Sequence, residues 1–147
     1  MVVVHMVSSL LSYVAFLVAF VAGLLFLVQE RQLKRKTMGF LFHRLPSLDA
    51  LDRANFAAIS AGFGLLSLGV VCGLLGVRLL LGRWWVGDPK QLLTAAVWGL
   101  YLLLWVVRLR STLRGRRVAL LSMLGFSLVL MTALGASHLL GSAHPYL

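Results

Sequence analysis

The apolar positions of this chain lie in four long runs, Val7 to Val28, Ala54 to Val77, Gln91 to Val107 and Val118 to Leu140, with the charged residues gathered between them. The hydrocarbon core of a bilayer is about 30 Å thick and is crossed by about 20 apolar residues of helix. The runs are of that order, the third being the shortest, and none contains proline. Backbone polar groups within lipid must pair inside their own segment, which a helix achieves. The pattern therefore predicts an all-α, polytopic membrane bundle of four transmembrane helices. No repeat, low-complexity tract or linker divides it, so residues 1–147 read as a single membrane domain.

The polar connections orient the bundle. The segment from Gln29 to Arg53 carries Arg31, Lys34, Arg35, Lys36, Arg44 and Arg53, and the segment from Arg108 to Arg117 carries five arginines. On the other side stand only Arg78, Arg83 and Lys90, in the loop 78–90. Cytoplasmic loops carry the excess of Lys and Arg, and eleven against three predicts both termini outside. The first run lacks a basic segment before it and is followed by positive charge, which is unlike a cleaved signal peptide. Within the first cytoplasmic connection, Leu45-Pro46-Ser47 before LDALD reads as a turn into a short amphipathic helix on the inner membrane face, with Ser47 as N-cap.

Composition agrees. With 61% hydrophobic and 12% charged residues, too little polar surface remains for a water-soluble globule. A formal charge of +10 would suggest nucleic acid in a soluble protein, but here the cations act as topology determinants, and no nucleic-acid partner is expected. The lone Cys72, inside an apolar run, excludes a disulfide within the chain and a cysteine-based metal cage.

Packing signals appear on three helices. Gly62, Gly69, Gly73 and Gly76 leave a strip without side chains on the second, where another helix can approach closely. On the fourth, Ser127, Met131, Gly135, His138 and Ser142 predict an inward small or polar strip. On the third, Thr94, Trp98, Tyr101 and Trp105 share a face; Trp84, Trp85 and Trp105 fall near the boundaries where an aromatic belt is expected, whereas Trp98 sits mid-span. A buried indole N–H needs a partner, so Trp98 belongs to a packed interior or to a ligand wall.

The topology collects His5, the WWVGDPKQ loop and His144 on the outer face. Neutral imidazoles are axial ligands for haem iron, indoles can lie against a porphyrin, and Arg83 or Lys90 can pair with propionates. The same residues have plainer readings. A histidine at a membrane interface is commonly solvated, and Asp88 as N-cap, Pro89 at the first helical position and Gln91 two residues later form a capping box for the third helix.

At these residues the sequence resembles the integral-membrane cytochrome c assembly proteins, a haem-handling family with a tryptophan-rich WWD motif on the outer face. VVVHMVSSLLSYVAF resembles the family's His-containing helix start, RWWVGDPKQLLTAAVWGLY its motif running into Trp-x-x-Tyr, and GSAHPYL its closing His-x-Tyr. LVQERQLKRK and LPSLDALDR are similar to the branch whose members lie beside tetrapyrrole-synthesis genes. Family members are longer, with further helices in front, and this chain resembles their C-terminal half. Two positions depart from the fuller motif: Gly87 stands where Trp precedes Asp, and Gln91 where Glu follows Lys.

The resemblance implies that His5 and His144 are the axial ligands of an externally exposed haem, with His138 as the alternative to His144, and that Trp84, Trp85 and Asp88 belong to the haem-contacting loop. With Trp98, Arg83 and Lys90 these make up the candidate site. The haem would be b-type and held transiently. The implied function is haem binding or presentation for cytochrome c biogenesis in the bacterial inner (plasma) membrane. Its partners would be membrane lipid, a partner membrane subunit or second copy, and apocytochrome c or assembly subunits. The competing reading is a regulator or stabilising subunit linked to tetrapyrrole synthesis that holds no haem stably. Neither requires a nucleophile or an acid–base pair, and the spans contain no carboxylate pair, His-rich metal motif or Ser-His-Asp set. The marks of a transporter, an intramembrane charge or a broken helix, are likewise absent from the sequence.

Overall fold

The computed structural model describes residues 2–36, 44–84, 87, 89–110 and 115–141, with backbone alone at 2, 90, 133 and 135–141. These residues form four helices: α1 (Val2–Lys34), α2 (Leu48–Leu81), α3 (Pro89–Arg110) and α4 (Arg116–Gly141). At about 1.5 Å rise per residue, the 34 residues of α2 reach about 51 Å, well beyond the hydrocarbon thickness, and the 22 residues of α3 reach about 33 Å. Among the described residues, α1, α2 and α3 are long and apolar enough to cross a membrane.

Local chemistry sets the helix ends. Ser47 caps α2, its Oγ accepting from the Ala50 N–H at 3.3 Å. At the other end Gly82 turns left-handed (φ 67°) and donates its N–H to the Arg78 carbonyl at 2.9 Å. The LDALDR segment is not a separate surface helix. No break follows the Ser47 cap, and Leu51, Asp52 and Asn55 are buried in the bundle as the first turns of α2.

Consecutive helices run antiparallel, and close contacts give the register. Gly62, Gly69 and Gly73 of α2 meet Phe16, Ser9 and His5 of α1. Ser122 of α4 lies beside Gly23 of α1, and Phe126 beside Phe20. Ser67 of α2 pairs with Trp98 of α3, while Gly125 of α4 faces Tyr101 of α3. The bundle thus has one end at His5 and Gly82 and another at Lys34, Ser47, Arg110 and Arg116.

The core is organised around two stacked rings. Phe16 of α1 and Tyr101 of α3 are fully buried, with centroids 3.8 Å apart and planes 14° apart. They fit because both flanks lack side chains: a Cβ on Gly62 would lie 2.5 Å from Phe16, and one on Gly125 would lie 3.0 Å from Tyr101. Of the glycine strip expected to admit another helix, Gly62, Gly69 and Gly73 do so, and the helix is α1 of the same chain, while Gly76 faces open space. The strip expected on α4 is different: Ser127 is exposed and Met131 is 71% exposed, while Ser122, Phe126, Val129 and Thr132 turn inward. The outer surface is apolar, with Leu10, Leu17, Leu68, Val71, Leu103 and Leu124 all exposed, as a lipid-facing surface would be.

Candidate functional site

The end of the bundle that holds His5 carries the described part of the expected site. His5 lies one turn into α1 and is half-buried against α2. Its Nδ1 is 2.7 Å from the Gly69 carbonyl oxygen. That oxygen can only accept, so Nδ1 carries the proton, and in a neutral ring the lone pair is then on Nε2. The ring reaches the carbonyl because Gly73, one turn further along α2, has no side chain: a Cβ there would lie 3.1 Å from Cε1 and 3.2 Å from Nδ1.

Around His5 the environment is polar for a membrane helix. Ser9 faces Gly69, Ser8 donates to the His5 carbonyl at 3.2 Å and the buried Ser12 donates to the Ser9 carbonyl at 2.7 Å. At the end of α2 the Arg78 guanidinium sits over the Trp84 ring, 4.3 Å from its centroid. Trp84 is half exposed and Arg83 is exposed. Gly87 adopts φ 76°, a left-handed conformation that L side chains adopt only at a cost; this conformation suits the glycine found where the fuller motif has Trp.

The antiparallel register carries the last turn of α4, including the His138 backbone, toward the same end as His5. Trp85, Asp88 and His144 lie outside the described residues, as do the side chains of Lys90 and His138. Helix α3 does begin at Pro89, as the capping pattern predicts.

Trp98 is half-buried, packed against the core. Its Nε1 donates to Ser67 Oγ at 2.9 Å, and Ser67 donates in turn to the Phe63 carbonyl at 2.8 Å. Phe63 also packs on the Trp98 and Trp105 rings, at 5.8 and 5.9 Å. This geometry is that of packing. A cavity of about 10 Å3 nearby, lined by Tyr13, Leu66, Thr94, Val97, Val129 and Thr132, has room for about one water and none for a macrocycle. Among the described residues no cluster of His, Cys, Asp and Glu could hold a bare metal ion.

Sequence reasoning missed a polar system at the opposite end. Asp52 of α2 pairs with Arg108 of α3, both side chains about nine-tenths buried, and Asp52 Oδ1 accepts the Gly115 N–H at 3.0 Å. Asn55, one turn along, donates to the Ala19 carbonyl at 2.6 Å and to Ser122 Oγ at 3.0 Å. The available signal was that the sequence has only four acidic residues. Glu30 and Asp49 pair within their own helices, with Lys34 and Arg53, and Asp52 does not.

Comparison with known proteins agrees with the resemblance. The family profile described as Cytochrome C assembly protein matches residues 1–144. The chain is 32% identical over 108 residues to the cytochrome c biogenesis protein CcsA of Synechococcus sp. (strain JA-2-3B'a(2-13)), covering 74% of this chain and 31% of that protein. It is 30% identical over 131 residues to Protein HemX of Brevibacillus brevis, covering 89% and 48%. With CcsA of Prochlorococcus marinus (strain MIT 9312) it shares 29% over 163 residues, covering 98% and 53%. The chain thus spans between about a third and about half the length of these relatives. No solved structure matches.

Proposed function

This chain belongs to the cytochrome c assembly protein family and is a multi-pass membrane protein, and on that premise we propose that it holds haem at the outer membrane face for cytochrome c maturation. The residues present suit the group. His5 donates its Nδ1 proton to Gly69, which leaves Nε2 as the nitrogen able to ligate iron and fixes the ring plane through a hydrogen-bonded partner, as metal-bound histidines generally require. That hydrogen bond is the observation carrying the proposal.

In this reading His144, or His138 in its place, supplies the second imidazole. Trp84, Trp85 and Asp88 form the loop beside it, and Arg83 and Lys90 neutralise carboxylates. Arg78, steadied over Trp84, joins them. Trp98 supports the helix behind the site. When bound, haem would supply a redox-active iron and the vinyl groups to which apocytochrome thiols add. The chain's own part is to bind, orient and shield, with no proton-transferring residue called for. The eleven cytoplasmic cations set both termini outside, with α4 as the fourth crossing, in the bacterial inner membrane. Apocytochrome c, other assembly subunits, and a partner membrane subunit or second copy are the proposed partners.

A regulatory or stabilising subunit linked to tetrapyrrole synthesis, without stable haem, is the second reading. What favours it is the similarity of LVQERQLKRK and LPSLDALDR to the tetrapyrrole-linked branch, together with Gly87 and Gln91, which depart from the fuller motif. A reduced-minus-oxidised absorbance spectrum of the detergent-purified protein separates the two. A low-spin haem signal that disappears in the His5→Ala, His144→Ala double variant supports the first. An unchanged spectrum in that variant overturns the site, and haem-free protein supports the second.

A further inference from the structure

The Gly69 carbonyl already accepts an N–H from its own helix, as every mid-helix carbonyl does, and the His5 ring adds a second donor at 2.7 Å. Reaching such an oxygen from outside a helix is ordinarily blocked, because the side chain one turn on covers it. Here that residue is Gly73, and any Cβ would stand 3.1 to 3.2 Å from the ring. Other glycines of α2 have no such role: Gly64 and Gly76 have open space where a Cβ would be.

We propose that Gly73 is a positioning residue: by leaving the Gly69 carbonyl uncovered it selects the Nδ1-protonated tautomer of His5 and presents Nε2 for ligation. The ligating role rests on the haem-binding reading, but the tautomer does not. An imidazole whose Nδ1–H is hydrogen-bonded is a more basic ligand and is held in one orientation. A side chain at position 73 would remove both effects, pressing hardest on Cε1 and Nδ1 at 3.1 and 3.2 Å and lying 3.9 Å from Nε2.

The test uses the full chain in detergent, labelled with 15N-histidine, at mildly alkaline pH. The His5 resonances are assigned by their absence from His5→Ala. The expected result is a protonated Nδ1 and an unprotonated Nε2 in the wild type and in Gly64→Val. In Gly73→Val that pattern is lost while helix content is unchanged, and titrated haemin binds about 10- to 100-fold more weakly than to Gly64→Val. Gly73→Ala, whose single added carbon is tolerated more easily, should show a smaller change in the same direction if the valine variant fails to fold. An Nδ1-protonated tautomer that survives in the Gly73 variants overturns the proposal and leaves the haem reading standing, whereas a wild-type His5 protonated on Nε2 overturns the proposal and removes the hydrogen bond on which the haem reading of His5 stands. If the tautomer behaves as expected but haemin affinity is identical in wild type and His5→Ala, the haem reading fails, and the ligating role of the pair fails with it.

Discussion

Asp52 of α2 and Arg108 of α3 form an ion pair buried at the basic end of the bundle, and the free carboxylate oxygen of Asp52 receives the Gly115 N–H at the start of α4. One carboxylate thereby ties three helices together. Arg108 also lies over the Phe56 ring, 5.3 Å from its centroid. Exposure of only 9% and 10% for the two side chains means that little solvent screens the pair.

Removing one partner of a buried pair leaves an uncompensated charge, which costs about 3–5 kcal/mol. Asp52→Ala and Arg108→Ala are each expected to lower the stability of the detergent-solubilised protein by about that amount. The double variant should lose much less than the sum, because neither charge is then stranded. Chemical or thermal unfolding of the four proteins measures this, and additive losses would show that the residues act independently.

Gly62 and Gly64 lie two residues apart on α2 yet should respond differently to enlargement. A Cβ at Gly62 would lie 2.5 Å from Phe16, whose ring is stacked on Tyr101 and has nowhere to go, while Gly64 has open space. Gly62→Ala is expected to destabilise by about 1–3 kcal/mol through overpacking. Gly64→Ala should be close to neutral. Equal melting temperatures for the two variants would contradict the packing described.

The Asn55 amide joins α2 to α1 and α4 through Ala19 and Ser122. A double-mutant cycle with Asn55→Ala and Ser122→Ala is expected to give a coupling energy of about 0.6 kcal/mol, the average for side-chain hydrogen bonds within a membrane bundle, and no more than about 1.7 kcal/mol. Zero coupling would mean that Ser122 is held by the Ala119 carbonyl alone, to which it donates at 2.9 Å.

Trp98 and Trp84 should separate in function. The Trp98 indole N–H is held by Ser67 inside the bundle, so Trp98→Phe should lower stability and leave the haem spectrum unchanged. Trp84, half exposed under Arg78, should do the reverse: Trp84→Ala removes about 0.5–1 kcal/mol of cation–π contact and weakens haemin binding. Paired melting and haemin-titration measurements distinguish the two.

The charge asymmetry predicts sidedness directly. With Cys72 replaced by serine, a cysteine at Arg83 should react with a membrane-impermeant maleimide in intact cells. One at Ser111 should react only after the membrane is opened. The opposite pattern would invert the topology and remove the outer-face site.

Much of the fold was legible where the cause is local. Ser47 caps α2 and Pro89 opens α3, as predicted, because capping depends on a few consecutive residues. The glycine strip on α2 was visible as spacing, and the need of Trp98 for a hydrogen-bond partner followed from its chemistry. Asp52 was not legible as an anchor, since its partner Arg108 lies 56 residues away and reads in isolation as one more topology-determining cation. Nor could the sequence say that the LDALDR segment would continue into α2 rather than lie on the membrane face.

By itself the sequence determined four helices, the apolar runs that carry them and the charge bias of their connections, because in a bilayer each span must satisfy its own backbone and each is apolar on every side. That same apolarity hides which side faces in. Lipid is as greasy as a protein core, so hydropathy cannot distinguish Met131, which faces outward, from Val129, which is buried. Only the tertiary structure decided this, through steric fit: rings opposite glycines, an imidazole against an uncovered carbonyl, and a carboxylate within reach of an arginine from another helix.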